Sequence, residues 1–205
     1  MVLTPSMMTK LGSSAPDFKL KDVVSGKEFS LASLAGKKAL LVMFICRHCP
    51  YVQHIKDELS RLDRDYRTKD VALVSISSND AANYPDDAPA SLKEFAQAQG
   101  WQHPFLYDET QNVAKAYQAA CTPDFFLYAH KCGTGGFETR PYELVYRGQL
   151  DDSRPGNNKS LTGKDLRSAL DAVLTGRPVA AEQRPSVGCN IKWKKGSQPA
   201  YFGSA

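Results

Sequence analysis

Long apolar runs are missing from this sequence. The longest, Ala39 to Cys46, falls far short of the roughly 20 residues that a membrane-spanning helix needs, so no membrane partner is expected. A strong charge of either sign is also missing. There are 26 Lys and Arg against 22 Asp and Glu, a net charge of +4, and no dense basic stripe, which argues against nucleic acid as a partner. Residues 1–14 lack an apolar stretch and a cleavage-like site, so a signal peptide is not expected and the cytoplasm is the expected location. No internal repeat is visible, and a second domain is not expected. Cysteine is sparse and odd in number, at five, which fits poorly with a set of structural disulfides. A chain of 205 residues can bury a full core without such staples. In a reducing compartment, paired cysteines are usually catalytic or metal-binding.

What is present is one concentrated stretch, Leu40-Leu41-Val42-Met43-Phe44-Ile45-Cys46-Arg47-His48-Cys49-Pro50. An apolar run over 38–45 reads as a buried strand. Residues 47–67 read as a helix, with Val52, Ile55, Leu59 and Leu62 spaced by three and four. A buried strand therefore delivers two thiols to the first turn of a helix. The unpaired amides and the dipole of a helix start favour negative charge, and the thiolate is the reactive form of cysteine. Arg47 and His48 lie between the thiols and add positive charge. On that basis Cys46 is expected to titrate below the free value of about 8.5.

Further along, 15–20 and 28–31 read as short strands around a Ser25-Gly26 turn, and 71–77 as a second buried strand. Ser91 with Glu94 reads as a capping box for a helix ending at Gly100. Residues 105–107 read as a strand. Asp108 or Thr110 is expected to cap a helix running to Ala120. Residues 124–128 and 142–146 read as an antiparallel pair, and Thr162 as the cap of a last helix over 163–174. Strands alternating with helices imply parallel pairing in the centre of the sheet. The expected organisation is a flexible lead-in over 1–14, one domain over 15–176, and a tail over 177–205 packed on it.

Several stretches resemble the peroxiredoxin-like (AhpC/TSA-related) group of the thioredoxin-like superfamily that carries a Cys-x-x-Cys. They are Phe44 to Val52, Ser78-Asn79-Asp80 with Tyr84-Pro85, Thr122 to Leu127, Leu144 to Gly148 and Gly188 to Lys194. The resemblance implies an α/β thioredoxin-like fold: a central mixed β-sheet flanked by helices, with an N-terminal strand extension and a C-terminal tail. It implies a thiol–disulfide oxidoreductase without cofactor, acting on protein or small-molecule disulfides and thiols, with thioredoxin or glutathione as electron donor. Cys46 is then the nucleophile and the more exposed end of the motif, and Cys49 the resolving thiol. Thr122 and Pro123 form a cis-proline loop that receives substrate. Cys189 in the tail, and Cys121 beside the cis-proline loop, are candidates for a third redox thiol, and Cys132 is incidental.

Two departures from the family pattern stand out. Thioredoxins place an acid on the strand beneath the motif for proton transfer, and residues 38–45 contain none. Peroxiredoxins place Thr or Ser three residues before the peroxidatic cysteine; matched to Cys49, that position is Cys46. Arg147 and Arg154 are both candidates for the peroxiredoxin arginine. Two alternatives therefore stay open. One is a thiol peroxidase with Cys49 as the peroxide-reactive residue. The other is a non-catalytic metal-binding or redox-sensing module. Zinc would need about four ligands, and beyond Cys46, Cys49 and His54 the spacing offers no second ligand pair, so no metal is expected.

Overall fold

The computed structural model describes residues 3–130 and 142–203. Cys132 and the loop 131–141 that holds it lie outside the described residues. Seven strands form the central sheet: β2 (Lys19–Asp22), β3 (Glu28–Ser30), β4 (Ala39–Phe44), β5 (Val71–Ser77), β6 (Phe105–Tyr107), β8 (Asp124–His130) and β9 (Tyr142–Gly148). Their order is β3-β2-β6-β5-β4-β8-β9. β4, β5 and β6 run parallel, and the flanking pairs are antiparallel. The sheet is therefore mixed, with its parallel part in the middle, where both faces are covered.

β4 is buried along its whole length. Leu41, Met43 and Ile45 face a core shared with α1 (Pro50–Tyr66), α2 (Pro89–Gln99) and α4 (Lys164–Leu174). Leu40, Val42 and Phe44 face a second core with α3 (Asn112–Tyr117) and the tail residues Ile191 and Trp193. α1 contributes Val52, Ile55, Leu59 and Leu62 to the first core, the stripe that the sequence spacing predicts. Burying such side chains contributes roughly 25 cal/mol per Å2 of apolar area, so α1 is fixed firmly over β4.

Helix starts differ from the sequence expectation, and proline is the reason in two cases. α1 begins at Pro50 rather than 47, with Cys49 as its N-cap in an extended conformation. A proline disfavours helical backbone in the residue before it and suits the first helical position. α2 begins at Pro89 for the same reason, which places Ser91 and Glu94 inside the helix rather than in a capping box. The Ser91 hydroxyl donates to the Pro85 carbonyl instead. Asp108 and Thr110 both serve α3: Asp108 accepts the Ala114 amide at 2.9 Å and Thr110 the Asn112 amide at 3.3 Å. α3 stops at Tyr117, short of the expected Ala120.

The lead-in is tied down where the sequence suggests a flexible segment. β1 (Leu3–Pro5) pairs with β10 (Val187–Asn190), and β10 pairs with β7 (Cys121–Thr122), giving a separate sheet of order β1-β10-β7. Backbone bonds from Gly12 to Leu144 and from Ala15 to Tyr142 anchor the rest of the lead-in against β9. The tail crosses over the end of β4, so Cys189 joins the first core while Ile191 and Trp193 join the second.

Candidate active site

β4 ends at Phe44, and Ile45 still donates to the Ile76 carbonyl at 3.0 Å. The chain then turns through Cys46, Arg47 and His48 into the N-cap Cys49. Opposite them lies the β7–β8 junction, where the Thr122–Pro123 peptide is cis. Cys46 Sγ is 3.4 Å from Thr122 Oγ1, and Cys49 Sγ is 3.1 Å from the Thr122 carbonyl oxygen. Cys189 Sγ lies 3.0 Å from Cys49 Sγ. Cys46, Cys49, Thr122, Pro123 and Cys189, which the sequence singles out, therefore meet at one point. Cys121 sits next door, its thiol 3.6 Å from the Pro123 carbonyl and pushed up in pKa by burial and by Asp124. All four described thiols are free and buried.

That burial corrects the expected exposure of Cys46, which is 1% exposed against 0% for Cys49. Its acidity is corrected as well. Burial pushes the Cys46 thiol up, and Cys49 and Asp87 push in the same direction. Cys49 is pulled down by hydrogen bonds from Cys189 and Cys46. Burial opposes them, while the Thr122 hydroxyl and the Val52 amide in the first helical turn add to the pull. In its neutral form Cys49 can donate to the Thr122 carbonyl; as an anion it finds that oxygen unfavourable, but the donors around it outnumber the one acceptor. The thiolate is therefore favoured on Cys49 over Cys46, at the helix start that Pro50 moves three residues on from the position expected.

Arg47 turns away from the sulfurs. Its guanidinium donates to the Ser91 carbonyl and pairs with Glu94, both at 3.1 Å. His48 turns to Asp87, a residue the sequence reading missed. Asp87 is fully buried and accepts the Arg47 amide at 2.8 Å, the His48 amide at 3.2 Å and the Asn79 side chain at 2.7 Å, besides the His48 ring Nδ1. The Asp87 bond raises the His48 pKa against the opposing effect of burial. Burial works against ionised Asp87, but His48 and Asn79 outweigh it and hold the carboxyl below its usual range. His48 also stacks on Tyr84, with ring centroids 5.5 Å apart. β4 carries no acid, and the buried acid beside the motif is Asp87, in the turn before α2. Local spacing could not reveal it, because Asp87 lies 40 positions from Arg47 in sequence.

Cys46, His48 and Asp87 bring their ligand atoms within 4.8 Å of one another. Such a mixed S, N, O set could meet a metal ion, but the carboxylate oxygens already accept the four hydrogen bonds just named. The two arginines proposed for peroxide chemistry are engaged by other partners, although Arg154 lines a small pocket with Pro123 and Tyr51 beside the cis-proline loop. Arg147 binds the Thr9 carbonyl and Gln183, and Arg154 binds the Asp151 and Ser153 carbonyls and Gln149. No helix among the described residues is long and apolar enough to cross a membrane.

The architecture has close counterparts among solved structures. An uncharacterized conserved protein from Geobacillus kaustophilus shares 49% identity and superposes with a TM-score of 0.88, covering 95% of this chain and 97% of that one. A hypothetical protein from Sinorhizobium meliloti shares 47% identity with a TM-score of 0.86, over 94% and 100% of the two chains. A secreted disulfide oxidoreductase from Mycobacterium tuberculosis shares the fold at 16% identity, with a TM-score of 0.51 over 78% and 95%. No curated protein matches the chain. Residues 11–139 match the model of the AhpC/TSA family. With its mixed sheet, its cis-proline loop and this match, the chain is thioredoxin-like and belongs to the AhpC/TSA family.

Proposed function

We propose that the protein is a thiol–disulfide oxidoreductase working through the Cys46/Cys49 dithiol. The observation that carries this reading is the placement of Cys49 at the N-cap of α1, with Cys46 three residues before it and Thr122 against both sulfurs. The pair holds one proton and one negative charge. Passing the proton from Cys46 to Cys49 makes Cys46 the thiolate. Cys46 then attacks a substrate disulfide; one S–S bond forms, the substrate S–S bond breaks, and the leaving thiolate takes a proton from the His48 imidazolium. Cys49 gives up its proton to the second substrate sulfur and attacks Cys46, which closes the protein disulfide. The products are a substrate dithiol, the Cys46–Cys49 disulfide and neutral His48, so two protons and two electrons leave together. Run in reverse, the same steps oxidise a substrate dithiol.

Thr122 and Pro123 present the substrate backbone in this reading. A cytoplasmic location, with thioredoxin or glutathione as donor, belongs to the same proposal. Stabilising the Cys49 thiolate favours the dithiol form, which makes the disulfide the better oxidant. A second reading, thiol peroxidase with Cys49 as the reactive residue, is favoured by the acidity of Cys49 and by Pro50 after it. It is disfavoured by Cys46 standing where the threonine or serine of a peroxidase would be and by the engagement of Arg147 and Arg154. Turnover of a protein disulfide and of hydrogen peroxide, measured side by side, separates the two. Catalytic turnover of the protein disulfide should be the faster and should be lost in Cys46→Ser, although glutathione disulfide can still oxidise the remaining thiols of that variant. Peroxide turnover that survives Cys46→Ser but not Cys49→Ser, without disulfide exchange, would establish the peroxidase instead.

A further inference from the structure

Cys189 takes no part in the two-thiol cycle, yet its sulfur is 3.0 Å from Cys49 Sγ. Its placement is held on several sides. β10 is hydrogen-bonded between β1 and β7, with Cys189 opposite Thr122. Gly188 lies so close to the cis-proline loop that a Cβ there would stand 2.0 Å from the Thr122 carbonyl oxygen. The Ser186 hydroxyl donates to the Pro123 carbonyl at 2.6 Å. Just after Cys189, the Lys192 amide donates to Asn79 at 2.8 Å and the Lys192 carbonyl accepts from Gln111 at 3.0 Å. The strand is thus clamped against the loop that faces the dithiol, and its one sulfur points at the dithiol's central sulfur.

We propose that Cys189 is a third redox thiol, which exchanges with the Cys46–Cys49 disulfide by attacking Cys49. This rests on the dithiol reading above. Cys189 Sγ bonds to Cys49 Sγ, the Cys46–Cys49 bond breaks, and Cys46 leaves as a thiolate that takes up the proton Cys189 gave up. No electrons are gained or lost; one disulfide becomes another. In the reduced protein the leading influence that keeps Cys189 protonated is its hydrogen bond to Cys49, with burial second and Lys192 opposing. Once Cys49 is bonded to Cys46 that first influence is gone. The oxidised protein therefore has two forms. In the second, the tail strand β10 is tied to the start of α1 and Cys46 is a free thiol again, available to a second substrate.

Peptide mapping of the full-length protein, oxidised with glutathione disulfide and quenched by acid and alkylation, tests this. Cleavage after Arg47 separates Cys46 from Cys49, so each linkage is read directly. The expected result is a Cys46–Cys49 link and a Cys49–Cys189 link in the wild type. Cys46→Ser should show the Cys49–Cys189 link alone, and Cys46→Ser with Cys189→Ser should lose it entirely. A wild type with a Cys46–Cys49 link and Cys189 fully alkylated would overturn the third thiol and leave the dithiol reading standing. A wild type with no Cys46–Cys49 link would overturn the dithiol reading itself. In Cys46→Ser, a glutathione adduct on Cys49 with Cys189 free would also overturn the proposal. If Cys46→Ser does not fold, the wild-type map alone decides.

Discussion

Asp87 grips His48 at two points, its backbone amide through one carboxylate oxygen at 3.2 Å and its ring Nδ1 through the other. The carboxylate is fully buried, so this grip both shapes the Arg47-His48 turn and strengthens the hold of the imidazole on its proton. Replacing Asp87 with Asn keeps the shape but removes the charge. The His48 pKa should then fall, because burial, which lowers it, is left unopposed by the carboxylate. We expect the reductive rate to drop roughly 100-fold, the usual scale for loss of a positioned acid. We also expect its alkaline limb to move to lower pH. A pH–rate profile with NMR titration of His48 checks both; an unchanged profile with a lower rate would assign Asp87 a purely structural role.

The same pair makes stability pH-dependent at both ends. His48 has a raised folded pKa, so its contribution is fully present below the unfolded value of about 6.5 and is lost as pH rises through the folded value. Asp87 has a depressed folded pKa, so its contribution is present above the unfolded value of about 3.9 and is lost as pH falls through the folded one. Denaturant unfolding across pH should show a maximum between these limits. Asp87→Asn should flatten both limbs that belong to the pair.

Cys49 should be the acidic thiol. Titrating the thiolate absorbance of reduced protein should give a midpoint below the free value of about 8.5, lost in Cys49→Ser and kept in Cys46→Ser. Each lost donor should raise that midpoint, since a hydrogen bond to a charged group contributes about 1.5–3 kcal/mol and one pKa unit is about 1.4 kcal/mol. Cys189→Ser, which can still donate, should raise it less than Cys189→Ala.

Gly188 tests how tightly the tail is held. The 2.0 Å approach to Thr122 leaves no room for a methyl group. Gly188→Ala should cost about 1–3 kcal/mol in unfolding free energy, the range for overpacking a filled site. It should also make Cys189 alkylatable in the folded protein, where it is now 2% exposed.

The sequence lays out much of this site. The run from Leu40 to Pro50 shows the strand, the paired thiols and the helix, because local periodicity and proline chemistry determine them. The Thr122-Pro123 loop and Cys189 come from the resemblance to the family. Asp87 stayed hidden, since a polar loop residue reveals its partner only once the chain has folded 40 positions back on itself. A helix start at 47 puts Cys46 at the N-cap; Pro50 puts Cys49 there instead, and the acidity goes with it. The lead-in looked flexible because β1 is three residues long and finds its partner only in β10, near the other end of the chain.

The central claim is a dithiol whose reduced form is stabilised by donors around Cys49. A redox titration of the full-length protein against a glutathione buffer, with the Cys46–Cys49 linkage read by peptide mapping at each point, tests it most directly. The account predicts a two-electron couple with a potential above the thioredoxin value of about −270 mV. A couple at or below that value, or oxidation that never links Cys46 to Cys49, would contradict it.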